Sequence, residues 1–360
     1  MTKSNLLGTA IGSLPHNNSE KALELIFEKF PQFPIWPQLS NVNPKEDMIA
    51  QFTQNLPGVY FNETDCRWFI DQNVENFFEH LEEFYMDYEA IVSEKEFDLL
   101  EKYAITGEFT SVIPTYLKMA AEKKPAFMKG QITGPFTYAT SLVDNQNRCA
   151  FYDDTLKEVL VKGLTLKALW QIKKFKEASP TSKPVIFMDE PTISQYGTSA
   201  FLTVKKQDII DCFAEIAQII KDNGGIPAVH CCGKTDWSII TESGIEIINF
   251  DAFYYAESLS LYYNEIEQFI KKGGIIAWGL IPTLDEDALK SATVESLMVK
   301  FEEAVAYLVN KGMDKTVLIE QSAVTPTCGA GSLSMELAEK AMTLTSELST
   351  ALRAKYGMVN

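Results

Sequence analysis

The sequence is poor in histidine, in cysteine and in basic residues. Its 360 residues include 3 His and 6 Cys, and 32 Lys and Arg stand against 49 Asp and Glu. The formal charge of −17 repels phosphate backbones and anionic lipid surfaces, so we expect neither a nucleic acid nor a membrane as partner. So few cysteines in a chain of this length do not make a disulfide framework of the secreted type. Metal binding or simple burial is the expected fate of the thiols.

Long apolar runs are missing as well. No window reaches the roughly 18 apolar residues that a membrane-spanning helix needs, and the opening stretch MTKSNLLGTAIGSLP has no long apolar core with a cleavage site. We therefore expect a cytoplasmic protein. No repeat, low-complexity tract or Pro/Ser-rich linker divides the chain, and a hydrophobic content of 46% supplies a large core. A single domain over residues 1–360 is the prediction.

Short apolar or β-branched runs alternate with longer amphipathic patterns, such as the one at 206–222. This alternation is typical of βα units repeated around a parallel sheet. The predicted strands span 6–12, 33–38, 126–131, 184–189, 226–230, 245–250, 274–280 and 316–320. Eight strands close a barrel, so the predicted fold is an α/β TIM (β/α)8 barrel. Residues 57–125 are too long for an ordinary connection and predict an elaborated insertion after the second strand, which could form a lid or a dimer surface.

Residues suited to chemistry follow directly after the predicted strands. This is the end of a barrel where enzymes of this fold place their active sites. The positions are Ser13, Gly134 and Pro135, Asp189 and Glu190, His230 to Cys232, Asp251, and Cys328. Their convergence predicts one active site at that face.

The segment AVHCCGK predicts half of a metal site. Side chains alternate along a strand, so His230 and Cys232 project to one side and Cys231 to the other. Imidazole and thiolate are zinc ligands, and Cys328 in TPTCGAG could supply a third. The alternative is that these thiols are buried as small apolar groups. We expect that fate for Cys66, Cys149 and Cys212.

Three acidic residues at strand ends have two interpretations. Asp189 and Glu190 could bind a cationic substrate group; alternatively Asp189 caps the following helix, and the same alternative applies to Asp251. The turn GSLP, with Gly12 and Ser13, offers backbone donors suited to a carboxylate.

Taken in order, the motifs resemble the catalytic domain of cobalamin-independent methionine synthase. That family lies within the TIM-barrel superfamily of uroporphyrinogen decarboxylase and coenzyme M methyltransferases. TAIGSLP resembles the family's T-x-IGSFP, GQITGPFT its G-x-LTGPVT, MDEP its IDEPAL, HCC its H-x-C, TPTCG its NPDCG, and KEDMIAQF its R-N-D-M-V-E-Y-F. The similarity extends along nearly the whole chain, although long stretches between the motifs differ.

The resemblance implies a zinc-dependent methyltransferase that binds homocysteine as a zinc thiolate and methylates it to methionine. It implies that His230, Cys232 and Cys328 are the zinc ligands and the catalytic centre. The family's fourth ligand is a glutamate that ends the sixth strand, where this chain offers Asp251 as the nearest candidate.

The same resemblance implies a substrate site. Ser13, with its backbone and the adjacent Gly12, would hold the carboxylate of homocysteine. Asp189, with the adjacent Glu190, would hold the amino group.

Two departures from the family concern the methyl donor. Folate-dependent members carry a histidine after the seventh strand, where this chain reads GLIPTLDED, and a tryptophan soon after TGPVT, where it reads TGPFTYATSL. A leaving folate nitrogen needs an acid, whereas a methylcorrinoid has a labile carbon–cobalt bond. A corrinoid protein is therefore the predicted donor, in place of methyltetrahydrofolate.

Other functions remain open from the sequence. Coenzyme M or another thiol could be the acceptor, although coenzyme M has no amino group for Asp189. A lyase of the uroporphyrinogen decarboxylase type would need basic residues, in which this chain is poor. A non-catalytic zinc-binding protein would result if Asp251 completed a site that no thiol could enter.

Overall fold

The computed structural model describes residues 3–358, which form an α/β structure with two sheets. Its strands are β1 Val59–Asn62, β2 Arg67–Ile70, β3 Phe127–Thr133, β4 Lys183–Asp189, β5 Ile226–Cys231, β6 Ile247–Asp251, β7 Ile275–Ile281 and β8 Ser322–Pro326. Strands β3 to β8 form a parallel sheet in sequence order, and β1 pairs with β2 in a separate antiparallel sheet. The predicted strands at 126–131, 184–189, 226–230, 245–250 and 274–280 coincide with β3 to β7 within about two residues.

Three α-helices precede β3, the first strand of the larger sheet, and the others lie between or after its strands. In chain order the helices are α1 Ser19–Lys29, α2 Phe77–Val92, α3 Ile113–Lys123, α4 Pro135–Ser141, α5 Asp154–Ala178, α6 Lys206–Asp222, α7 Trp237–Glu242, α8 Ala252–Ser260, α9 Tyr263–Lys271, α10 Glu286–Ser291, α11 Val294–Val309, α12 Lys315–Glu320 and α13 Met335–Lys355. Helix α6 confirms the amphipathic pattern at 206–222, because its apolar side chains are buried against the sheet. Residues 57–125 contain β1, β2, α2 and α3. Within residues 3–358, no helix has both the length and the apolar character needed to cross a bilayer.

The prediction of a closed eight-stranded TIM barrel is wrong. The parallel sheet has six strands and forms a half-barrel, because segments 6–12 and 33–38 are not strands. These segments make only isolated parallel bridges, which join Gly8 to Val324, Ser13 to Gln38, and Ile35 to Lys129. An insertion after a second barrel strand is therefore also excluded.

The backbone chemistry of the two segments explains why they form no regular ladder. Pro34 and Pro37 have no amide hydrogen to donate, so a strand through both would lose ladder hydrogen bonds. Gly12 has a φ of +32°, outside the extended region that a strand needs. Both segments nevertheless lie beside the sheet and carry residues to its carboxyl end.

The eighth predicted strand, 316–320, is helical and forms part of α12. The side chain of Asp314 accepts hydrogen bonds from the amides of Thr316 and Val317 at 2.8 and 3.1 Å, which begins the helix. An apolar run as short as TVLIE does not show whether its periodicity is that of a helix or of a strand. The strand that completes the sheet, β8, comes directly afterwards and still ends two residues before Cys328.

The inner face of the sheet changes character along its length. Near the amino ends of the strands it is apolar, with Phe127, Phe187 and Ala228 in one buried cluster. Toward the carboxyl ends the buried side chains become polar and include Gln131 and Asn249. Buried polar groups need partners or a ligand, so this end of the sheet is where a site is expected.

Candidate metal and substrate site

Three polar residues form a row across the carboxyl ends of neighbouring strands. In the strand register Asp189 of β4 pairs with His230 of β5, and His230 pairs with Asn249 of β6. All three side chains are buried, with exposed fractions of 7%, 4% and 0%. The parallel register therefore brings a carboxylate, an imidazole and an amide together at one edge.

His230, Cys232 and Cys328 form a group that could hold a metal ion. Their ligand atoms all lie within 4.8 Å of one another, and the group is the one such cluster of three or more found within residues 3–358. Zinc bonds of about 2.0–2.3 Å place tetrahedral ligand atoms roughly 3.5–4 Å apart. Small side-chain adjustments would therefore close this group around an ion.

The hydrogen bonds of His230 leave one ring nitrogen free for a metal. Asn249 Nδ2 donates to Ala277 O at 2.8 Å and to Thr325 Oγ1 at 2.7 Å, so its Oδ1 faces His230 Nδ1 as an acceptor at 2.6 Å. The ring hydrogen thus lies on Nδ1, and the lone pair lies on Nε2, which is buried without a partner. Burial lowers the pKa of His230 to about 4, so the ring is neutral at pH 7. A neutral imidazole fixed through its second nitrogen is the usual form of a histidine metal ligand.

The two cysteines of the group interact with each other. A hydrogen bond from the Cys328 thiol lowers the pKa of Cys232 to about 7, and the same contact raises the pKa of Cys328. Cys231 lies on the opposite side of β5, where it is fully buried among residues that face the helices. Burial raises the pKa of Cys231 to about 12, so this thiol is protonated and apart from the group.

A cavity of about 330 Å³ opens onto the three possible metal ligands. Gly12, Ser13 and Asp189 also line it. Together with the three possible metal ligands, six of the predicted site residues therefore meet in one space. Among the described residues that line the cavity there is no Lys or Arg. A larger cavity of about 910 Å³ lies at the amino ends of β5 and β7 and contains none of the predicted site residues. Its position at the opposite end of the strands separates it from this chemistry.

Ser13 is held against the loop that carries Cys328. The Ser13 carbonyl accepts a hydrogen bond from the Ala330 amide at 2.9 Å. A Cβ atom at Gly329 or Gly331 would lie 2.6 or 2.7 Å from Ser13 Oγ, which no real side chain tolerates. The two glycines therefore allow the Ser13 hydroxyl to reach the cavity beside the possible metal ligands.

Asp189 has an unusual environment for a carboxylate. Its Oδ1 is buried without a hydrogen-bond partner. Burial raises the pKa of Asp189 to about 6, against the opposing effect of the buried Lys129. Lys129 Nζ donates to Ala10 O at 2.9 Å and lies 4.1 Å from the centre of the Phe187 ring. Asp189 is therefore an acceptor that faces the cavity with unused capacity.

Glu190 and Asp251 are helix caps in the structure. Glu190 accepts hydrogen bonds from the Phe136 and Thr137 amides at 3.0 and 2.8 Å, at the start of α4, and does not line the cavity. Asp251 accepts from the Tyr254 amide at 3.0 Å at the start of α8 and is not one of the three grouped ligands. Capping is the predicted alternative for Asp251, whereas the cap that Glu190 forms on α4 was not predicted.

Asn249 and Glu46 belong to the site and were not predicted. Asn249 could have been found from its polar side chain within the apolar strand sequence IINFD, which alternation places on the same face as Asp251. Glu46 lies in a short 3-10 helix after the irregular segment 33–38, and no periodicity in the sequence marks it as buried.

No protein-family model matches the chain, and no curated protein sequence matches it. The resemblance to the methionine synthase family therefore rests on the short motifs alone.

Proposed function

We propose that this protein is a zinc-dependent thiol methyltransferase that converts homocysteine to methionine. The observation that carries the proposal is the meeting of His230, Cys232 and Cys328 with Asp189 and Ser13 around one cavity. The first three residues have the chemistry of a zinc site, and the last two have the chemistry of an amino-acid site.

The donor set fits zinc. One imidazole and two thiolates suit a borderline-soft ion, and the unpartnered His230 Nε2 is the buried atom that such an ion would satisfy. Three protein ligands leave one position for a substrate sulfur, which is the pattern of catalytic sites. Bound there, zinc would supply the Lewis acidity that keeps a thiol deprotonated at neutral pH. Asp251 lies outside this group of three ligands, which supports the catalytic over the closed, non-catalytic kind of site.

The cavity lining supports an amino-acid thiol as acceptor. Asp189 offers an unused carboxylate oxygen to an ammonium group, and Ser13 offers its hydroxyl and backbone to the carboxylate. The absence of Lys and Arg among the described lining residues disfavours a sulfonate thiol such as coenzyme M and a polycarboxylate substrate of the decarboxylase type.

The loop after β7 supports a corrinoid donor. Asp285 caps α10 through the Ala288 amide at 2.9 Å and accepts from the Tyr254 hydroxyl at 2.6 Å. The hydrogen bond from the Ala288 amide is the main cause that lowers the pKa of Asp285, so this residue is ionised at pH 7 and cannot protonate a folate nitrogen. In transfer from a methylcorrinoid, the sulfur lone pair forms the new S–C bond while the Co–C pair stays on cobalt, so no acid is needed. A corrinoid protein is therefore the proposed partner.

Metal analysis tests the zinc site. Wild-type protein should hold about one zinc per chain, and His230→Ala, Cys232→Ser and Cys328→Ser should each lower that content. Cys231→Ser is the matched control, since its thiol faces the helices. A zinc content that depends on Cys231 and not on Cys232 would contradict the site.

A side-by-side assay of two donors tests the reaction. Zinc-loaded protein should methylate homocysteine from methylcobalamin or a methylated corrinoid protein, with little or no product from methyltetrahydrofolate. Faster turnover with the folate would overturn the assignment of the donor, and no methionine from any donor would overturn the proposed reaction.

A further inference from the structure

A second buried carboxylate, Glu46, faces the same cavity from the segment that follows residues 33–38. Its side chain is 1% exposed and contributes to the lining of the 330 Å³ cavity. Oε2 accepts a hydrogen bond from the Leu39 amide at 3.3 Å, which fixes the carboxylate in place. Oε1 is buried without a hydrogen-bond partner.

Glu46 and Asp189 line the same cavity, and Gln38 and Asp189 meet at its wall beside Gly12. A Cβ atom at Gly12 would lie 3.0 Å from Gln38 Oε1 and 3.8 Å from Asp189 Oδ2, so both side chains reach the same point. Gln38 directly precedes Leu39, whose amide holds Glu46. The cavity thus has one unused carboxylate oxygen from the sheet and one from the irregular wall.

Two unsatisfied carboxylate oxygens in one small cavity need a donor. Leaving a buried acceptor unpaired costs about 1–3 kcal/mol, and more when the group is charged. No Lys or Arg lines the cavity among the described residues, and the buried Lys129 donates to Ala10 O. A primary ammonium has three N–H donors and one positive charge, so it suits a cavity that is lined by two such oxygens.

Glu46 departs from the motif that its segment resembles. In the stretch KEDMIAQF, which resembles the family's R-N-D-M-V-E-Y-F, Glu46 stands where the family has asparagine. An asparagine could also accept a hydrogen bond, but it would add no negative charge.

We propose that Glu46 acts with Asp189 to accept the ammonium group of the thiol substrate, and that Glu46 thereby sets a preference for thiols with a free primary amine. The identity of the ligand as a thiol rests on the proposed function. The ammonium preference itself rests on the two oxygens and the cavity.

Ser111 provides a competing explanation for Glu46. Burial raises the pKa of Glu46, and interactions with the Ser111 hydroxyl, the Leu39 amide and the Ser111 amide oppose that rise. Ser111 Oγ and Glu46 Oε1 nevertheless form no hydrogen bond of ordinary geometry. If Glu46 served only to hold the Leu39 and Ser111 segments, its loss would affect all ligands alike.

The test compares two thiols that differ only in the amine, homocysteine and 4-mercaptobutanoate, by calorimetric titration of the zinc-loaded protein. Glu46→Gln should weaken homocysteine roughly 10- to 100-fold and leave 4-mercaptobutanoate unchanged or tighter. Glu108→Gln is the control, because Glu108 is exposed on the nearby surface and pairs with Lys45. Zinc content and thermal unfolding establish that each variant is folded.

Equal losses for the two thiols, or no loss for homocysteine, would overturn the inference. Should Glu46→Gln not fold, Glu46→Asp withdraws the carboxylate by one methylene, and an unchanged preference for the amine in that variant would overturn the inference as well. Amine-dependent binding without any methyl transfer would support the inference and contradict the proposed function. Methyl transfer with equal affinity for both thiols would support the proposed reaction and contradict the inference about Glu46.

Discussion

A single amide, Asn249, decides which nitrogen of His230 is available. Its Nδ2 has two acceptors and its Oδ1 holds His230 Nδ1, so the orientation of the ring and the position of its hydrogen follow from one residue. Partners that orient metal ligands in this way contribute roughly 10- to 100-fold to metal affinity. We expect Asn249→Ala to lower zinc affinity by that factor in a chelator competition assay. Asn264→Ala on the exposed surface of α9 is the control, and equal zinc affinities in the two variants would show that Asn249 does not position the ring.

At the same scale, Asp189 should discriminate between acceptors by their amino group. A charge-assisted hydrogen bond in a buried site is worth about 1.5–3 kcal/mol. Asp189→Asn should therefore weaken homocysteine about 10- to 100-fold relative to 4-mercaptobutanoate in the same titration. Asp287→Asn, on the exposed side of α10, is the control. Parallel losses for the two thiols would remove the assignment of the amino group to Asp189.

Among the elements, the sequence predicts the buried strands well but does not distinguish them from the irregular segments 6–12 and 33–38. Strands β4 to β7 contain short apolar runs, because both of their faces are covered, and such runs stand out in a sequence. Strand β3 is also buried but includes Lys129 and Gln131. Segments 6–12 and 33–38 have similar composition, but glycine and proline keep them from forming a ladder.

The site shows the same division between strand and loop. His230 and Cys232 could be paired from strand alternation, whereas the roles of Glu190 and Asp251 depended on where helices begin. Glu46 is buried by long-range packing that no local pattern records.

Glu190, which caps α4, should make the free energy of unfolding depend on pH. Burial raises the pKa of Glu190 to about 7, above its value near 4.5 in an unfolded chain. Between these values the folded protein binds one proton more, so the contribution of Glu190 is complete below pH 4.5 and is lost as the pH rises through 7. The stability of wild type relative to Glu190→Gln should fall across that window by about 1–3 kcal/mol in urea denaturation. The exposed Glu336→Gln is the control, and a flat difference would contradict the raised pKa.

For the whole molecule, the charge of −17 should oppose compactness. Surface ion pairs, such as Lys290 with Glu286, are exposed to solvent and contribute little, so the summed repulsion should dominate the response to salt. Raising NaCl from about 10 to 200 mM shortens the screening length from roughly 30 to 7 Å and should raise the melting temperature. Sodium sulfate at equal ionic strength tests whether screening is the cause. A lower melting temperature in NaCl would mean that the ion pairs outweigh the repulsion.

The cavity has one wall of regular strands and one wall of irregular backbone, and the irregular wall is the one that can open. His230 and the polar row beside it belong to the regular ladder of β4 to β6. Ser13 and Gln38 are joined by an isolated bridge, and Glu46 ends a short 3-10 helix. In hydrogen–deuterium exchange, the backbone amides of β4 to β6 should exchange only through global unfolding. The amides of the irregular wall should exchange through local opening, at a much lower free energy. An acceptor could then enter by displacing the irregular wall while His230, which lies within β5, stays in place. Binding of the acceptor should in turn slow exchange at residues 38–46 and leave the ladder amides unchanged.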